Sequence, residues 1–382
     1  MKSFKNVTIY VEGKGLKKTS LTFDKKIIKI GCADKKAQQL TLPEDAIVLP
    51  GFIDEHIHGA GQADCMDGTT EALSTIAKVV AKEGTTTFLA TTMTQSKENI
   101  LKAMQAVKEY QQANSNEGAR LLGIHLEGPF IAPAHKGAQP LEYVKNPDVA
   151  VFEEYNTASG NAIKIVSIAP EIEGAQDFIQ YLKSKNIVAS IGHTGAKYTD
   201  IAQAVENGAI NVTHTYNAQT PLHHREIGTV GSAMLLDELH CELIADTIHV
   251  SVPAMKLLVK NKPVDKVTLI TDAMRAKGLA DGCESELGGQ KVYVKNGEAR
   301  LEDGTLAGSV LLMNRALQNI VEKVGVPFTQ AVDYATKNPA KKLGIYNETG
   351  SIAKGKNADF TVLNKNYDVV MTIRDGEVIY QA

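Results

Sequence analysis

The sequence predicts an α/β protein built around a closed (β/α)8 barrel of parallel strands, with a small β-sandwich domain formed by both ends of the chain. Three observations predict this fold class. Short apolar, β-branched runs alternate with helical patterns through the middle of the chain, which is typical of parallel βαβ units. Eight such runs lie within roughly 250 residues, the usual size of a (β/α)8 barrel. Both ends of the chain contain only short strands and turns.

Each predicted barrel strand is a short apolar run, and most are followed by a helical pattern such as 71–84 (EALSTIAKVVAKEG). An open, doubly wound sheet is the alternative, but no GxGxxG follows an early strand. The eight predicted strands are 52–57 (FIDEHI), 86–91 (TTFLAT), 121–126 (LLGIHL), 163–168 (IKIVSI), 187–192 (IVASIG), 210–214 (INVTH), 241–246 (CELIAD) and 267–272 (VTLITD).

The two ends of the chain are expected to share one domain, because each looks too small to fold alone. Residues 1–49 and 350–382 would form the small β-sandwich, and residues 50–349 would form the barrel. A β-hairpin insert is predicted near 288–303, where Asn296-Gly297 separates two alternating runs in KVYVKNGEARL.

Composition excludes several classes of protein. The 382 residues are 43% hydrophobic, enough for a sizeable core, and the net charge of −3 argues against a nucleic-acid surface or a polybasic membrane anchor. The start, MKSFKNVTIYVEG, lacks the apolar stretch of a signal peptide, and no run is long enough for a transmembrane helix. We therefore expect a cytoplasmic protein without nucleic-acid or membrane partners. Reduced thiols are expected at four scattered cysteines: Cys32, Cys65, Cys241 and Cys283.

Histidines and carboxylates collect at the carboxyl ends of the predicted strands, where (β/α)8 barrels carry their chemistry. His56 and His58 are two residues apart and so point to one face of a strand. Imidazoles and carboxylates together suit Zn²⁺, Fe²⁺, Mn²⁺ or Co²⁺. The alternative for the two histidines alone is a hydrogen-bonded buried pair. The candidate residues at strand ends are His56, His58, Glu127, His193, His214 and Asp272.

Several motifs in order along the chain resemble the amidohydrolase superfamily: PGFIDEHIHG, HLEGPF, GHT, THTYNA, TDAM and GKNADFTVL. HLEGPF, THTYNA and the later LAGS resemble the N-acetylglucosamine-6-phosphate deacetylase family in particular. The resemblance spans nearly the whole chain. It implies a (β/α)8 barrel, a β-sandwich built from both termini, and usually a homodimer.

The resemblance also implies a ligand set for one or two divalent metals per subunit, with Zn²⁺ or Fe²⁺ favoured and Mn²⁺ or Co²⁺ as alternatives. One metal would take Glu127, His193 and His214. A second would take His56 and His58, with Glu127 bridging and Asp272 nearby.

The expected reaction is hydrolysis of the acetamide of N-acetylglucosamine 6-phosphate to glucosamine 6-phosphate and acetate, with a metal-activated water as nucleophile. Asp272 is the candidate general base and acid, because a carboxylate can take the water's proton and return it to the departing amine. An ordinary metal ligand or a strand-end cap is the alternative for Asp272. His135 is a candidate electrophile for the acetyl oxygen, and its alternative is an exposed loop histidine.

Residues for the sugar phosphate come from the loops that the resemblance identifies. Arg225, whose planar fork suits phosphate, and His249 would hold the phosphate, one of them across a dimer interface. The family implies that Asn217 and Ala218 contact the phosphate or sugar through backbone amides, and that Ala138 and Gln139 lie against the sugar. Some relatives carry histidine at the position of Gln139. The acetyl methyl group would be flanked by Leu306, Ala307 and Gly308.

Two other functions stay open from the sequence. One is deacetylation of a different N-acyl substrate, such as N-acetylgalactosamine 6-phosphate. The other is a non-catalytic barrel of the amidohydrolase type that only binds or assembles.

Overall fold

The computed structural model of the protein describes residues 1–113 and 115–382. The strands, in chain order, are β1 (Lys2–Val11), β2 (Gly15–Phe23), β3 (Ile27–Ile30), β4 (Gln38–Gln39), β5 (Ile47–Pro50), β6 (Phe52–Ile57), β7 (Gly59–Ala60), β8 (Ala63–Asp64), β9 (Thr85–Thr91), β10 (Arg120–Glu127), β11 (Ile163–Ile168), β12 (Val188–Ile191), β13 (Ala209–Val212), β14 (His240–Ile244), β15 (Val267–Ile270), β16 (Glu284–Leu287), β17 (Gln290–Lys295), β18 (Glu298–Leu301), β19 (Phe360–Leu363), β20 (Val369–Arg374) and β21 (Glu377–Gln381).

The helices, in chain order, are α1 (Thr70–Ala81), α2 (Lys97–Ala113), α3 (Val149–Ala158), α4 (Ala175–Ser184), α5 (Tyr198–Asn207), α6 (Gly228–Leu235), α7 (Val252–Asn261), α8 (Met313–Asn319), α9 (Phe328–Ala335) and α10 (Lys337–Lys342). Among the described helices, none combines the length and the apolar character needed to span a bilayer.

Eight parallel strands form the central sheet, in the order β6, β9, β10, β11, β12, β13, β14, β15. Chain order and spatial order agree, and a helix from α1 to α7 lies in each connection between successive strands. This arrangement confirms the predicted fold class. It also places the carboxyl ends of all eight strands at one end of the sheet.

The sheet closes where β15 meets β6, and we call the contacts between these strands and the residues that follow them the seam. The amide of Asp272 donates to the carbonyl of His56 at 2.8 Å, and the amide of His58 donates to the carbonyl of Ala273 at 2.8 Å. Behind them, the Thr271 hydroxyl donates to the buried carboxylate of Asp54 at 2.5 Å. The seam therefore brings the ends of the first and eighth strands side by side.

Helices cover the barrel with apolar faces, as α1 illustrates. The hydroxyl of Thr69 accepts from the amide of Ala72 at 3.2 Å and begins the helix. Leu73, Ile76 and Val80 recur at helical spacing and are buried against the sheet. Each such side chain contributes about 1.5–3 kcal/mol relative to an exposed position.

The strands of both termini form a second sheet, in the order β21, β20, β19, β5, β1, β2, β3, with β4 beside β1. Phe23 on β2 and Phe360 on β19 lie three strand spacings apart, about 14 Å in a flat sheet. Their ring centroids are only 5.0 Å apart. The sheet therefore bends strongly around a separate apolar core, which also contains Phe4.

The insert after the eighth strand is a three-stranded antiparallel sheet, β16–β17–β18. Asn296 and Gly297 join β17 to β18, with φ of 54° and 75°, as a two-residue hairpin turn requires. The predicted hairpin near 288–303 thus gains an edge strand, β16. Leu287 and Val292 pack with Met274, which fixes the insert beside the end of the eighth strand.

Candidate active site

Six of the predicted side chains converge at the carboxyl end of the barrel. They form two groups of ligand atoms, each within 4.8 Å: Glu127 with His193 and His214, and His56 with His58 and Asp272. All six side chains are buried. The structure therefore brings together every residue that the sequence suggested as a metal ligand.

Three of these residues leave the strands in an unusual backbone conformation. His193, His214 and Asp272 have φ of 48°, 28° and 47°, in the left-handed region that L-residues seldom occupy. Residues held in this backbone conformation cost on the order of 1–3 kcal/mol each, and they cluster at functional sites. The conformation also ends the sixth and eighth strands at Val212 and Ile270, two residues earlier than predicted.

The first group is organised by the carboxylate of Glu127. Its Oε1 lies 3.2 Å from Nε2 of His193 and 3.0 Å from Nε2 of His214. The two imidazole nitrogens are 3.1 Å apart. Glu127, at the end of β10, therefore meets ligands that follow β12 and β13.

The second group shares Glu127 with the first. Nε2 of His56 lies 3.5 Å from Glu127 Oε1, and Nε2 of His58 lies 3.2 Å from Glu127 Oε2. Asp272 Oδ1 lies 3.4 Å from His56 and 3.3 Å from His58. One carboxylate thus stands between two sets of imidazoles, which is the position of a bridging ligand.

The chemistry of this donor set fits divalent metal. Nδ1 of His193 lies 2.8 Å from the carbonyl of His135, which only accepts, so Nδ1 carries the proton and Nε2 presents a lone pair. That lone pair faces an oxygen of Glu127, a repulsive contact unless a cation lies between them. Ligand atoms about 2.0–2.1 Å from a tetrahedral ion lie about 3.3 Å apart, close to the observed separations.

The charges of the two groups are strongly coupled. Burial lowers the pKa of His58, but Asp272 and Glu127 outweigh it and raise that pKa to about 10. Burial likewise opposes ionisation of Glu127, yet His56 and the neighbouring imidazoles hold its pKa well below the ordinary value. The carboxylates therefore stay ionised and require positive charge in the site.

Glu127 is held by contacts that the sequence did not reveal. Gln139 Nε2 donates to Glu127 Oε2 at 3.0 Å, and Gln139 Oε1 accepts from the amide of Thr94 at 2.6 Å. Gly128 follows Glu127 with φ of 77°, and a Cβ there would lie 2.0 Å from the Thr94 hydroxyl. The amide of Gln139 is thus engaged with the carboxylate that the two groups share.

A cavity of about 340 Å³ opens above the two groups. Leu287 and Thr305, from the insert and the loop after it, line it although the sequence did not suggest them. Met93 also lines it. The predicted residues that line the cavity, besides five of the six metal-ligand candidates, are His135, Ala138, Gln139, Asn217, Ala218, His249, Leu306 and Gly308.

Three predicted substrate residues differ from the expectation in their position or their hydrogen bonding. Ala307 is buried and does not line the cavity, because its side chain packs into the core of the insert. The backbone amide of Asn217, predicted to contact the substrate, instead donates to the carbonyl of His214 at 3.0 Å. Arg225 is exposed, outside the cavity lining, with Nη1 2.7 Å from Nε2 of His224.

His249 is held in the cavity wall by Asp246. Its Nδ1 lies 2.6 Å from Asp246 Oδ2, and its backbone amide donates to Asp246 Oδ1 at 2.8 Å. Burial lowers the pKa of His249, but the hydrogen bond and charge of Asp246 outweigh it, so the pKa is raised. An imidazole whose protonation Asp246 favours, at the cavity wall, suits an anionic group on a ligand.

Comparison with known proteins agrees with this geometry. The amidohydrolase family model matches residues 47–379. N-acetylglucosamine-6-phosphate deacetylase of Bacillus subtilis (strain 168) is 43% identical over 346 residues, covering 90% of this chain and 87% of its own. N-acetylgalactosamine-6-phosphate deacetylase of Escherichia coli O157:H7 is 36% identical over 332 residues, covering 87% of each chain. A mutant N-acetyl-D-glucosamine-6-phosphate deacetylase from Mycobacterium smegmatis, solved with N-acetyl-D-glucosamine-6-phosphate, superposes with a TM-score of 0.91 at 29% identity, covering 100% of this chain and 99% of its own.

Proposed function

The chain belongs to the amidohydrolase family, and from that membership we propose that it is a metal-dependent deacetylase of N-acetylglucosamine 6-phosphate, which releases glucosamine 6-phosphate and acetate. The observation that carries the proposal is the pair of ligand groups that share Glu127 on the floor of a 340 Å³ cavity. The relative from Bacillus subtilis, named for this activity, supports the choice of substrate. The non-catalytic alternative is set aside, because the ligand set is complete and the relatives are enzymes.

Glu127, His193 and His214 would hold the first metal, and His56 and His58 would hold a second with Glu127 and Asp272. When bound, a divalent ion lowers the pKa of a coordinated water and polarises an amide carbonyl. The donor set of imidazoles and carboxylates favours Zn²⁺ or Fe²⁺, with Mn²⁺ or Co²⁺ as alternatives.

Asp272 is the proton carrier in this proposal. It lines the cavity, and His56 and His58 keep its carboxylate ionised against the effect of burial, so its pKa is lowered. The carboxylate accepts a proton as the water oxygen bonds to the acetyl carbon. It returns that proton to the sugar nitrogen as the C–N bond breaks, which releases acetate and the amine.

The sugar phosphate would lie toward His249, with the backbone amide of Ala218 as a second donor. Arg225 is exposed and does not line the cavity of its own chain, so the proposal assigns it to the phosphate of the partner site in a homodimer. Ala138 and Gln139 lie beside the sugar, and Leu306 and Gly308 flank the acetyl group. His135 lines the cavity near His193 and is kept as a second group for the acetyl oxygen.

The decisive experiment measures acetate release from N-acetylglucosamine 6-phosphate, its non-phosphorylated form and N-acetylgalactosamine 6-phosphate. We expect N-acetylglucosamine 6-phosphate to have the highest kcat/KM of the three. A higher value for the galactose epimer would favour the second candidate, which the Escherichia coli relative supports. No acetate from any of the three, with metals varied, would refute the proposal.

His249→Ala tests the phosphate position. Loss of a charge-assisted hydrogen bond of about 1.5–3 kcal/mol should raise KM for the phosphorylated sugar by about 10- to 100-fold, with little change in kcat. KM for the non-phosphorylated sugar is the control and should hardly move. An equal rise in both KM values would remove His249 from the phosphate site.

A further inference from the structure

A buried carboxylate beneath the ligand groups has no part in the function proposed so far. Glu242, on β14, is completely buried, and both of its oxygens are engaged. Oε2 lies 2.9 Å from Nδ1 of His56 and accepts from the backbone amide of His214 at 3.2 Å. Oε1 accepts from Nδ2 of Asn211 at 2.7 Å.

The contact with Glu242 determines which nitrogen of His56 can bind metal. A carboxylate only accepts, so Nδ1 of His56 must carry the proton that it donates to Oε2. Nε2 is then left to face Glu127 and Asp272, at 3.5 and 3.4 Å. In the opposite tautomer, the lone pair of Nδ1 would face the Glu242 carboxylate at hydrogen-bond distance, which is strongly unfavourable inside a protein.

The group formed by His56, His125 and Glu242 has metal-like spacing, but its nitrogens are already committed. Nε2 of His125 lies 2.8 Å from the hydroxyl of Ser167, and its Nδ1 lies 3.2 Å from the carbonyl of Glu55. Nδ1 of His56 cannot both donate to Glu242 and ligate an ion. A third metal site is therefore disfavoured, and a role in orienting His56 is favoured.

The orientation of Glu242 is fixed from behind by Asn211. The Asn211 carbonyl oxygen accepts from the ammonium of Lys342, so its amide nitrogen must face Glu242 and the hydroxyl of Ser190. Lys342 is in turn paired with the buried Glu55. Every donor around Glu242 is thus held in place, and only a carboxylate accepts from all of them.

We infer that Glu242 is a positioning residue, which orients His56 as an Nε2 ligand and links the two metal sites through the backbone of His214. The inference rests on the proposed function, because it assumes that His56 belongs to the second site. Carboxylate partners of metal-binding imidazoles typically change metal affinity by about 10- to 100-fold. Glu242 accordingly governs the second metal more than the first.

Glu242→Gln tests this role without changing the size of the side chain. In one orientation, the NH₂ group of the new side-chain amide would face the donor of Asn211. In the other, it would face two donors, Nδ1 of His56 and the backbone amide of His214. We expect the dissociation constant of the second Zn²⁺ equivalent, titrated into metal-free protein against a fluorescent chelator, to rise by about 10- to 100-fold. The first equivalent should change much less, because Glu242 contacts only the backbone amide of His214 in the first group.

Glu83→Gln is the matched control. Glu83 is also a buried carboxylate, paired with Lys277 at 2.5 Å, but it contacts no metal-ligand candidate. It should lower the melting temperature, because Lys277 loses its partner, without changing either dissociation constant. If Glu83→Gln weakened the second site as much as Glu242→Gln, loss of stability alone would explain both, and the inference would fall.

Asn211→Ala provides a second variant should Glu242→Gln fold poorly. It removes one donor to Glu242 and should weaken binding of the second Zn²⁺ by less than a direct change to Glu242 does. Suppose that the wild type binds two Zn²⁺ equivalents and that both variants keep the dissociation constant of the second one. That result would overturn the inference about Glu242 and leave the two-metal proposal intact. One equivalent in the wild type would overturn the two-metal proposal and the inference with it.

Discussion

The two groups of metal-ligand candidates are assembled in different ways. Glu127 ends β10, and His193 and His214 follow β12 and β13, three strands within one continuous hydrogen-bonded ladder. His56, His58 and Asp272 instead lie on either side of the seam, where backbone hydrogen bonds such as that from Asp272 to His56 close the barrel outside this ladder. The first group is therefore shaped by the interior of the sheet, and the second depends on closure.

The two groups also differ in what orients their imidazoles. His193 donates from Nδ1 to a neutral backbone carbonyl, whereas His56 donates to the carboxylate of Glu242. A charged acceptor makes a stronger hydrogen bond and a more basic imidazole than a neutral one. The second group therefore combines closure at the seam with support from a charged side chain on β14. The second group should therefore be more sensitive to distant substitutions, because it depends on both the seam and a side chain from β14.

His193→Ala should produce the largest effect, because it removes a ligand of the first group. We expect one of two metal equivalents to be lost. We also expect kcat/KM to fall by about 10³-fold or more, because a bound metal stabilises the transition state by several kcal/mol. Metal analysis and acetate release measure the two effects. His58→Ala is the counterpart and should lose the other equivalent with a smaller drop in activity. A larger drop for His58→Ala would reverse the ranking of the two groups.

Asp272→Asn should come next. Replacing a general base typically costs about 10²- to 10⁴-fold in kcat, and the amide cannot accept the water's proton. The first metal equivalent should remain, because Asp272 is not among the ligands of that group. Asp67→Asn, which changes a carboxylate near Arg275 away from the cavity, is the control. Activity close to that of the wild type would show that another group carries the proton.

Thr271→Val should have the smallest effect, and it tests the seam. The substitution keeps the shape but removes the hydrogen bond to the buried Asp54, at a cost of about 1–3 kcal/mol of stability. We expect weaker binding of the second Zn²⁺ equivalent alone. Thr372→Val is matched, because it removes a buried hydrogen bond to Ala81 from the sheet of both termini. If both variants changed the dissociation constant of the second Zn²⁺ equivalent equally, closure at the seam would have no specific effect on the second site.

The barrel was readable from the sequence because its strands are buried on both faces and so appear as short apolar runs. The runs 52–57 and 163–168 match β6 and β11 in full. Strand ends were less accurate, since His214 and Asp272 leave the extended conformation through positive φ, which residue type does not reveal. The edge strand β16 was missed because its residues, ESEL, are mostly exposed and polar.

The site was partly readable for a similar reason. Side chains at the carboxyl ends of barrel strands lie at one end of the sheet, so strand position brought the six metal-ligand candidates together, and the family resemblance divided them into two sites. Glu242 was overlooked, although a single carboxylate within the apolar run CELIAD is a usable signal of a buried polar network. The contact between Gln139 and Glu127 depends on how the intervening loop folds back, and no local pattern encodes that path.

The pairing of β5 with β19 has a consequence for synthesis of the chain. Pro50 on β5 lies opposite Phe360 on β19. Strand β5 is synthesised early and cannot form this pairing until β19 has been synthesised near the end of the chain. At about 5–20 residues per second, the interval is on the order of tens of seconds. During that time β5 presents an unpaired edge, which invites association with other chains. The nascent chain is therefore prone to association during a period that the folded structure does not reveal. The need for chaperones during translation should depend on when its last few strands are synthesised.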